Sequence, residues 1–219
     1  MKSTNSAKTS EKTAAILIEA GTIIFRPKQP FKFDSGILSP VYVDNRLLIS
    51  SVKSRETILK YLISLVNKIG KPEVIAGVAT AGIPYAAWIA QKLRIPMVYV
   101  RSKPKGHGRE NQVEGHIKRG DHVLVVEDMV STAGSSVNVI KSLRKLGAKV
   151  TDEIAIYTHG MKVADRNFIK MKVRFCSLTN LQTVAELARQ KGYLRKDQTE
   201  IILSWAEDPE GWGKKMGFQ

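Results

Sequence analysis

Short, wholly apolar segments alternate with amphipathic segments through the middle of this chain, and this alternation limits the possible folds more than any other feature. Residues 74–78 and 123–126 are apolar or glycine at every position, as expected of strands covered on both faces. Similar segments occur at 97–100 and 154–157, with helical periodicity between them. The pattern predicts parallel βαβ units, and therefore an α/β fold with a mostly parallel sheet flanked by helices. In such sheets ligands bind beyond the carboxyl ends of the strands.

The same patterns divide the chain into four parts. Residues 1–11 are polar and lack periodicity, which predicts a disordered tail. Residues 12–50 contain one helical pattern, a turn-rich stretch and a short strand, and form a small N-terminal unit. Residues 51–205 carry the main α/β core. Residues 206–219 are expected to form a polar, Trp-containing C-terminal tail.

The formal net charge of +15 is compatible with nucleic acid, a membrane surface or a small anionic ligand. No aromatic residues interleave with the local concentration of basic residues, as they would on a base-stacking surface. That concentration consists of Arg101, Lys103, Lys105, Lys118 and Arg119. A small anionic ligand is therefore favoured over nucleic acid. No apolar run approaches the roughly 18 residues of a membrane helix, and the N-terminus lacks the apolar region of a signal peptide, so we expect no membrane partner and a cytoplasmic location.

The most informative segment is an acid pair followed by a run of small residues. Glu127 and Asp128 follow four apolar residues, and residues 131–135 are hydroxyl residues, alanine and glycine that open a helix. Carboxylates at a strand end can accept hydrogen bonds from a vicinal diol, and small residues let backbone N–H groups reach a phosphate. A ribose 5-phosphate satisfies both. The plainer alternative, a helix N-cap by Ser131 or Thr132 beside solvated acids, leaves the acid pair unexplained.

A basic loop offers the complementary charge for a leaving group. Arg101, Lys103 and Lys105 could meet the negative charge that grows on departing pyrophosphate. His107 could hold or pass a proton there, and the flanking glycines would let the loop close and open. A solvated basic loop without function is the alternative. The chain has no GxxxxGK[ST] motif, which counts against a P-loop nucleoside triphosphatase.

Three segments together carry a family resemblance. Residues 123–136 resemble the phosphoribosyl pyrophosphate signature of the type I phosphoribosyltransferases. Residues 101–108 resemble the catalytic loop of the orotate phosphoribosyltransferases, and residues 33–46 resemble their N-terminal substrate-binding hood. With residues 79–84, the likeness extends from about residue 12 to 205. The resemblance implies a type I phosphoribosyltransferase fold in which residues 12–50 form a small N-terminal hood.

The resemblance also implies an activity, the transfer of ribose 5-phosphate from 5-phosphoribosyl 1-pyrophosphate (PRPP) to orotate in pyrimidine synthesis. It implies Mg²⁺ held mainly by substrate oxygens and a homodimer whose loop reaches the neighbouring active site. Lys105, His107 and Asp128 are the expected catalytic residues, and Ser131 also contacts orotate. The residues expected to bind PRPP are Arg101, Lys105, His107, Glu127, Asp128, Met129, Val130, Ser131, Thr132, Ala133, Gly134 and Ser135.

Some positions depart from the pattern of the family. Leu38 and Ala81 stand where relatives carry lysine, and the strand ending near His159 lacks an arginine that some relatives place on orotate. The candidates for the orotate carboxylate are therefore Arg46, His159 and backbone amides near Ser35. Two other functions stay open at this point: a phosphoribosyltransferase for a purine base, and an RNA-binding regulator with the same fold but no catalysis.

Overall fold

The fold is built around one six-stranded sheet. The computed structural model describes residues 6–33, 36–102 and 112–218. In chain order, the elements are α1 (Ala7–Glu19), β1 (Ile23–Phe25), β2 (Phe31–Lys32), β3 (Leu38–Ser39), β4 (Val41–Val43), a 3-10 helix (Asn45–Ile49), α2 (Val52–Ile69), β5 (Val74–Val78), α3 (Gly82–Leu93), β6 (Met97–Val100), β7 (Val113–Glu114), β8 (His122–Val130), α4 (Gly134–Lys145), β9 (Lys149–Thr158), α5 (Lys162–Met171), β10 (Arg174–Asn180), α6 (Leu181–Gln190), α7 (Lys196–Glu207) and α8 (Trp212–Lys215).

The central sheet has the order β10-β9-β8-β5-β6-β7. All neighbouring strands are parallel except β7, which pairs antiparallel with β6 at one edge. One face is covered by an apolar cluster that includes α1, α2, α3 and α6, and the other by a cluster that includes α4 and α5. The prediction of a mostly parallel sheet flanked by helices is confirmed, and the wholly apolar sequence of β5 and β8 follows from burial on both faces.

Strand β8 is longer than its apolar segment predicted. It continues beyond Val126 as far as Val130, so both acids lie within the strand rather than after it. The register explains this extension: β5 pairs with β8 only as far as Val126, whereas β9 continues to pair as far as Val130. Residues 127–130 are therefore held on one side by β9, and the described sheet pairing leaves their other side open at the carboxyl end of the sheet.

The hood consists of two short antiparallel pairs, β1 with β4 and β2 with β3. The C-terminal helices attach it to the core. The indole N–H of Trp205 donates to the carbonyl of Leu38 at 2.9 Å, and Gly213 packs closely against the side chain of Leu38. Trp205 and Trp212 are both buried. Residues 206–219 were expected to be a polar tail, but the buried Trp212 and the contact of Gly213 with Leu38 make residues 206–218 part of the packing beneath the hood.

The N-terminal boundary also differs from the expectation. Helix α1 begins at Ala7, five residues before the expected start of the folded region, because Ser6 caps it through the backbone N–H of Thr9. The helix packs on α6 and β10, and the Ser10 hydroxyl donates to Thr179 at 3.1 Å. It therefore belongs to the core rather than to the hood. No helix among the described residues is long and apolar enough to cross a membrane.

Helix α1 contains a buried hydroxyl that offers a stability test. Thr13 is fully buried, and its Oγ1 has no hydrogen-bond partner among the residues that the structure describes. We expect Thr13→Val to raise the free energy of unfolding by about 1 kcal/mol, because an unpaired buried hydroxyl costs about that much. Thr199→Val is the matched control. The buried hydroxyl of Thr199 donates to the carbonyl of Arg195, so its removal should lower the free energy of unfolding. Urea denaturation of both variants checks the opposite signs, and a loss of stability in Thr13→Val would contradict the expectation.

Candidate functional site

The acid pair converges at the carboxyl end of β8. Glu127 is 7% exposed, and one of its carboxylate oxygens accepts the backbone N–H of Asp128 at 3.0 Å. Burial, together with the adjacent carboxyl of Asp128, raises the pKa of Glu127 well above its ordinary value. Burial also raises the pKa of Asp128. Two carboxyl groups this close resist full ionisation, so the pair can share a proton and accept hydrogen bonds from a hydroxylated ligand.

The segment after the acid pair forms an open turn at the N-terminus of α4. Met129 and Val130 complete β8, Ser131 is partly buried, and Thr132 is exposed. Ala133 has a φ of 63°, in the left-handed region, immediately before the exposed Gly134 and Ser135. A left-handed residue before a helix directs successive N–H groups to one side, and the first N–H groups of a helix have no intrahelical acceptor. The turn is suited to a phosphate group.

Two side chains fix this turn from outside it. The amide nitrogen of Asn167, on α5, donates to the carbonyl of Thr132 at 2.8 Å. From beneath, the hydroxyl of Ser136 donates to a carboxylate oxygen of Glu153 at 2.6 Å. Burial raises the pKa of Glu153 to about 8, while the hydrogen bond from Ser136 acts in the opposite direction. Neither anchor was identified from the sequence, because each contact joins two different elements, with separations of 35 and 17 residues, and no local pattern indicates it.

The hood and α3 also contact the acid pair. The side-chain amide of Asn45 is buried and donates to the carbonyl of Asp128 at 3.0 Å. On α3, Gly82 lies so close to β8 that a side chain there would collide with the carbonyl of Val126. Asn45 lies within residues 33–46, the segment that resembles the hood, but the sequence assigned it no individual role. The sequence gives one indication of a role for Asn45: Asp44, Asn45 and Arg46 are polar residues directly after an apolar strand.

The basic loop is described only at its ends. Lys103, Lys105 and His107 lie outside the described residues, so their predicted roles remain predictions. Arg101 follows β6, and its guanidinium is 3.5 Å from the carboxylate of Glu114 on β7. Arg101 is thus placed one strand beyond β5, away from the acid pair on β8.

The candidates for the orotate carboxylate differ in charge and exposure. Burial lowers the pKa of His159 to about 3, so this imidazole is neutral, and its Nδ1 lies 3.1 Å from the Tyr157 hydroxyl. A neutral buried ring offers no positive charge to a carboxylate, which argues against His159. Arg46 is exposed and bound to Asp44 at 2.6 Å, and the hydrogen bond to Asp44 raises the pKa of Arg46, with a smaller contribution from the charge of Asp128. Ser35 lies outside the described residues.

A cavity of about 570 Å³ lies at the carboxyl ends of β9 and β10. It is lined by the ends of β9 and β10 and by parts of α1, α5, α6 and α7. Met161 connects it to the turn, because its sulfur accepts a hydrogen bond from Ser131 at 3.7 Å. Cys176, buried as the sequence predicted, also lines it. Neither acid contributes to this cavity.

Comparisons with known proteins agree with this arrangement. Residues 52–189 match the model of the phosphoribosyl transferase domain, which spans the sheet, the acid pair and the turn. Since that match covers more than half of the chain, the chain belongs to the phosphoribosyltransferase family.

The branch of the family follows from individual relatives. An orotate phosphoribosyltransferase from Listeria monocytogenes serotype 4b (strain F2365) is 40% identical over 205 residues, covering 93% of this chain and 98% of the relative. The crystal structure of orotate phosphoribosyltransferase from Aeropyrum pernix aligns with a TM-score of 0.72 and 31% identity, covering 83% of this chain and 98% of that chain. Within the family, the chain is therefore an orotate phosphoribosyltransferase.

A further solved structure supports the fold alone. Leishmania donovani UMP synthase aligns with a TM-score of 0.75, but at 24% identity. The alignment covers 90% of this chain and 42% of that one.

Proposed function

We propose that the chain acts in the cytoplasm to transfer ribose 5-phosphate from PRPP to orotate. The products are orotidine 5′-monophosphate and pyrophosphate, in the synthesis of UMP. The observation that carries the proposal is the convergence of Glu127 and Asp128 directly before the open turn at 131–135. One ligand with a ribose diol and a 5-phosphate matches both features.

Each part of the site has a proposed role in the displacement. Glu127 and Asp128 accept hydrogen bonds from the ribose hydroxyls, and their negative charge favours the oxocarbenium-like sugar of the transition state. The N–H groups of residues 131–135 hold the 5-phosphate. As the bond between C1 of the ribose and the pyrophosphate oxygen breaks, N1 of orotate forms the new bond to C1, and the proton that N1 loses is taken up by the departing pyrophosphate. Ser131 contacts both the phosphate and orotate.

The basic loop completes the proposed mechanism at the leaving group. Arg101, Lys105 and His107 neutralise the charge that develops on the departing pyrophosphate, with Lys103 as an additional contact. Arg46 is the candidate that we favour for the orotate carboxylate, because it is cationic, exposed and close enough to Asp128 for their charges to interact. Catalysis then depends mainly on position and electrostatics.

Magnesium is the proposed cofactor. The oxygen-only chemistry of the acid pair suits this ion, which prefers hard oxygen ligands and retains water and substrate oxygens. We assign the ion to the pyrophosphate and ribose oxygens of PRPP rather than to a cage of protein side chains. When bound, it neutralises part of the charge on the leaving group.

The proposed assembly is a homodimer in which each basic loop serves the neighbouring active site. Lys105→Ala and Asp128→Asn should each be nearly inactive alone. If the loop acts in the neighbouring subunit, each mixed dimer regains one intact site. Random exchange should then restore about one quarter of wild-type activity. No recovery, despite mixed dimers seen by native mass spectrometry, would contradict a shared site.

A base-specificity assay tests the function. With PRPP and magnesium, we expect pyrophosphate release with orotate and none with adenine, hypoxanthine or xanthine. Turnover with a purine base and not with orotate would reverse the assignment within the family. Absence of turnover with every base, together with specific RNA binding that persists at physiological salt, would favour the regulatory alternative.

A further inference from the structure

Beneath the phosphate-binding turn lies a buried acid that the proposed mechanism does not use. Glu153 is on β9 and is fully buried, between Val125 of β8 and Phe175 of β10 in the sheet register. An ionisable side chain within the buried part of a strand carries a large desolvation cost. Such a residue therefore calls for a structural or functional reason.

Its one hydrogen bond from a side chain points to that reason. One carboxylate oxygen accepts the hydroxyl of Ser136 at 2.6 Å, and the other oxygen has no partner among the described residues. Ser136 is the third residue of α4, directly after the exposed Gly134 and Ser135. Its backbone N–H is one of the first three of the helix, whereas the N–H of Val137 already donates to the carbonyl of Ala133 at 3.0 Å. The contact thus joins the sheet to the part of the helix that offers N–H groups to a phosphate.

We propose that Glu153 is a positioning residue, which acts through Ser136 to hold the first turn of α4 in the geometry that binds the 5-phosphate of PRPP. The inference rests on the proposed function in one respect, that residues 131–135 hold this phosphate. Three of the described side-chain hydrogen bonds hold this end of the helix and the turn before it. Asn167 donates to the carbonyl of Thr132, Ser136 donates to Glu153, and Ser131 donates to the sulfur of Met161. Asn167 restrains the loop side of the turn, and Glu153 restrains the helix side.

The electrostatics are compatible with this role. Because burial raises the pKa of Glu153 to about 8, the side chain is neutral near neutral pH. A neutral carboxyl accepts the serine hydroxyl without placing a negative charge behind a bound phosphate. Glutamine would reproduce this neutral acceptor in nearly the same shape, whereas leucine would fill similar space without any acceptor.

Four variants separate the hydrogen bond from packing. They are Glu153→Gln, Glu153→Leu, Ser136→Ala and the double variant Ser136→Ala with Glu153→Leu. The control is Thr199→Val, which removes a buried hydrogen bond on α7, far from the turn along the chain. Calorimetry with PRPP, ribose 5-phosphate and free pyrophosphate, each with magnesium, measures binding, and steady-state kinetics with orotate measure turnover.

We expect Ser136→Ala and Glu153→Leu each to weaken PRPP and ribose 5-phosphate binding by about tenfold, because the turn loses its anchor. Pyrophosphate affinity, the KM for orotate and kcat should stay within about twofold of wild type. Glu153→Gln should bind both phosphates as wild type does. The double variant should lose no more than either single variant, since both changes remove the same contact. Thr199→Val should leave all these affinities unchanged.

Three results would overturn the proposal. One is unchanged affinity for ribose 5-phosphate in Ser136→Ala, a small change that avoids the folding risk of Glu153→Leu. Another is a loss in Glu153→Gln as large as in Glu153→Leu, and the third is an equal loss of pyrophosphate affinity, which would indicate general distortion. Calorimetry keeps this test separate from the proposed function. If the wild type binds PRPP but does not use orotate, the activity assignment fails while the positioning role is still measured.

Discussion

Replacing Asp128 with asparagine is expected to remove most of the transfer activity while leaving the protein at least as stable as the wild type. In the proposed mechanism the carboxylate favours the cationic sugar that forms as pyrophosphate departs, and asparagine keeps the shape but not the charge. We expect kcat/KM for PRPP to fall by about 100-fold or more. Stability should be maintained because burial raises the pKa of Asp128, so the native state gains from losing this ionisable group.

The measurement pairs kinetics with thermal unfolding. Asp197→Asn is the matched control, because Asp197 is an exposed residue of α7 that pairs with Arg195 and has no role in the proposed site. The control should keep its activity. If Asp128→Asn turns over at the wild-type rate, Asp128 has no place in the mechanism. If it is inactive only because its melting temperature falls, the residue is structural.

The core of the fold could be predicted from the sequence because burial on both faces leaves a strong pattern. Residues 74–78, 97–100 and 123–126 are all found in strands of the sheet, and residues 137–146 mostly lie in α4. The end of β8 could not be predicted in the same way. Residues 127 and 128 are charged, so apolar content ends at Val126, but backbone pairing with β9 continues to Val130. Strand length here depends on the partner strand rather than on local composition.

The site could be predicted where its chemistry is local. The acids and the small-residue turn are close in sequence, and the structure places the acids near the end of β8 and the turn directly before and at the start of α4. Asn45, Asn167 and Glu153 support them from the hood, α5 and β9. Each of these contacts joins two different elements, and a single glutamate in a strand gives no indication of its partner on the preceding helix. The residue that binds the orotate carboxylate could not be predicted for the same reason. The burial that makes His159 neutral arises only when the chain is packed.

Glu153→Gln is expected to change how the stability of the protein depends on pH. The pKa of Glu153 is raised from its ordinary value of 4.5 to about 8 by burial. Between these values the unfolded chain has lost the proton that the folded chain retains. The favourable contribution of the protonated carboxyl is therefore complete below about pH 4.5 and is lost as the pH rises through about 8. Between these two pH values the free energy of unfolding falls by about 1.4 kcal/mol per pH unit.

Glutamine does not titrate, so the variant lacks this decline. We expect the free energy of unfolding of Glu153→Gln, minus that of the wild type, to increase by about 1.4 kcal/mol per pH unit and by roughly 5 kcal/mol across the whole window. Urea denaturation at several values from about pH 5 to about pH 8 measures this difference. The raised pKa of Glu127 lowers the stability of both proteins at high pH, so its contribution largely cancels. Parallel stability curves would mean that Glu153 ionises at its ordinary pKa, and water would then have to reach a side chain that the sheet and α4 enclose.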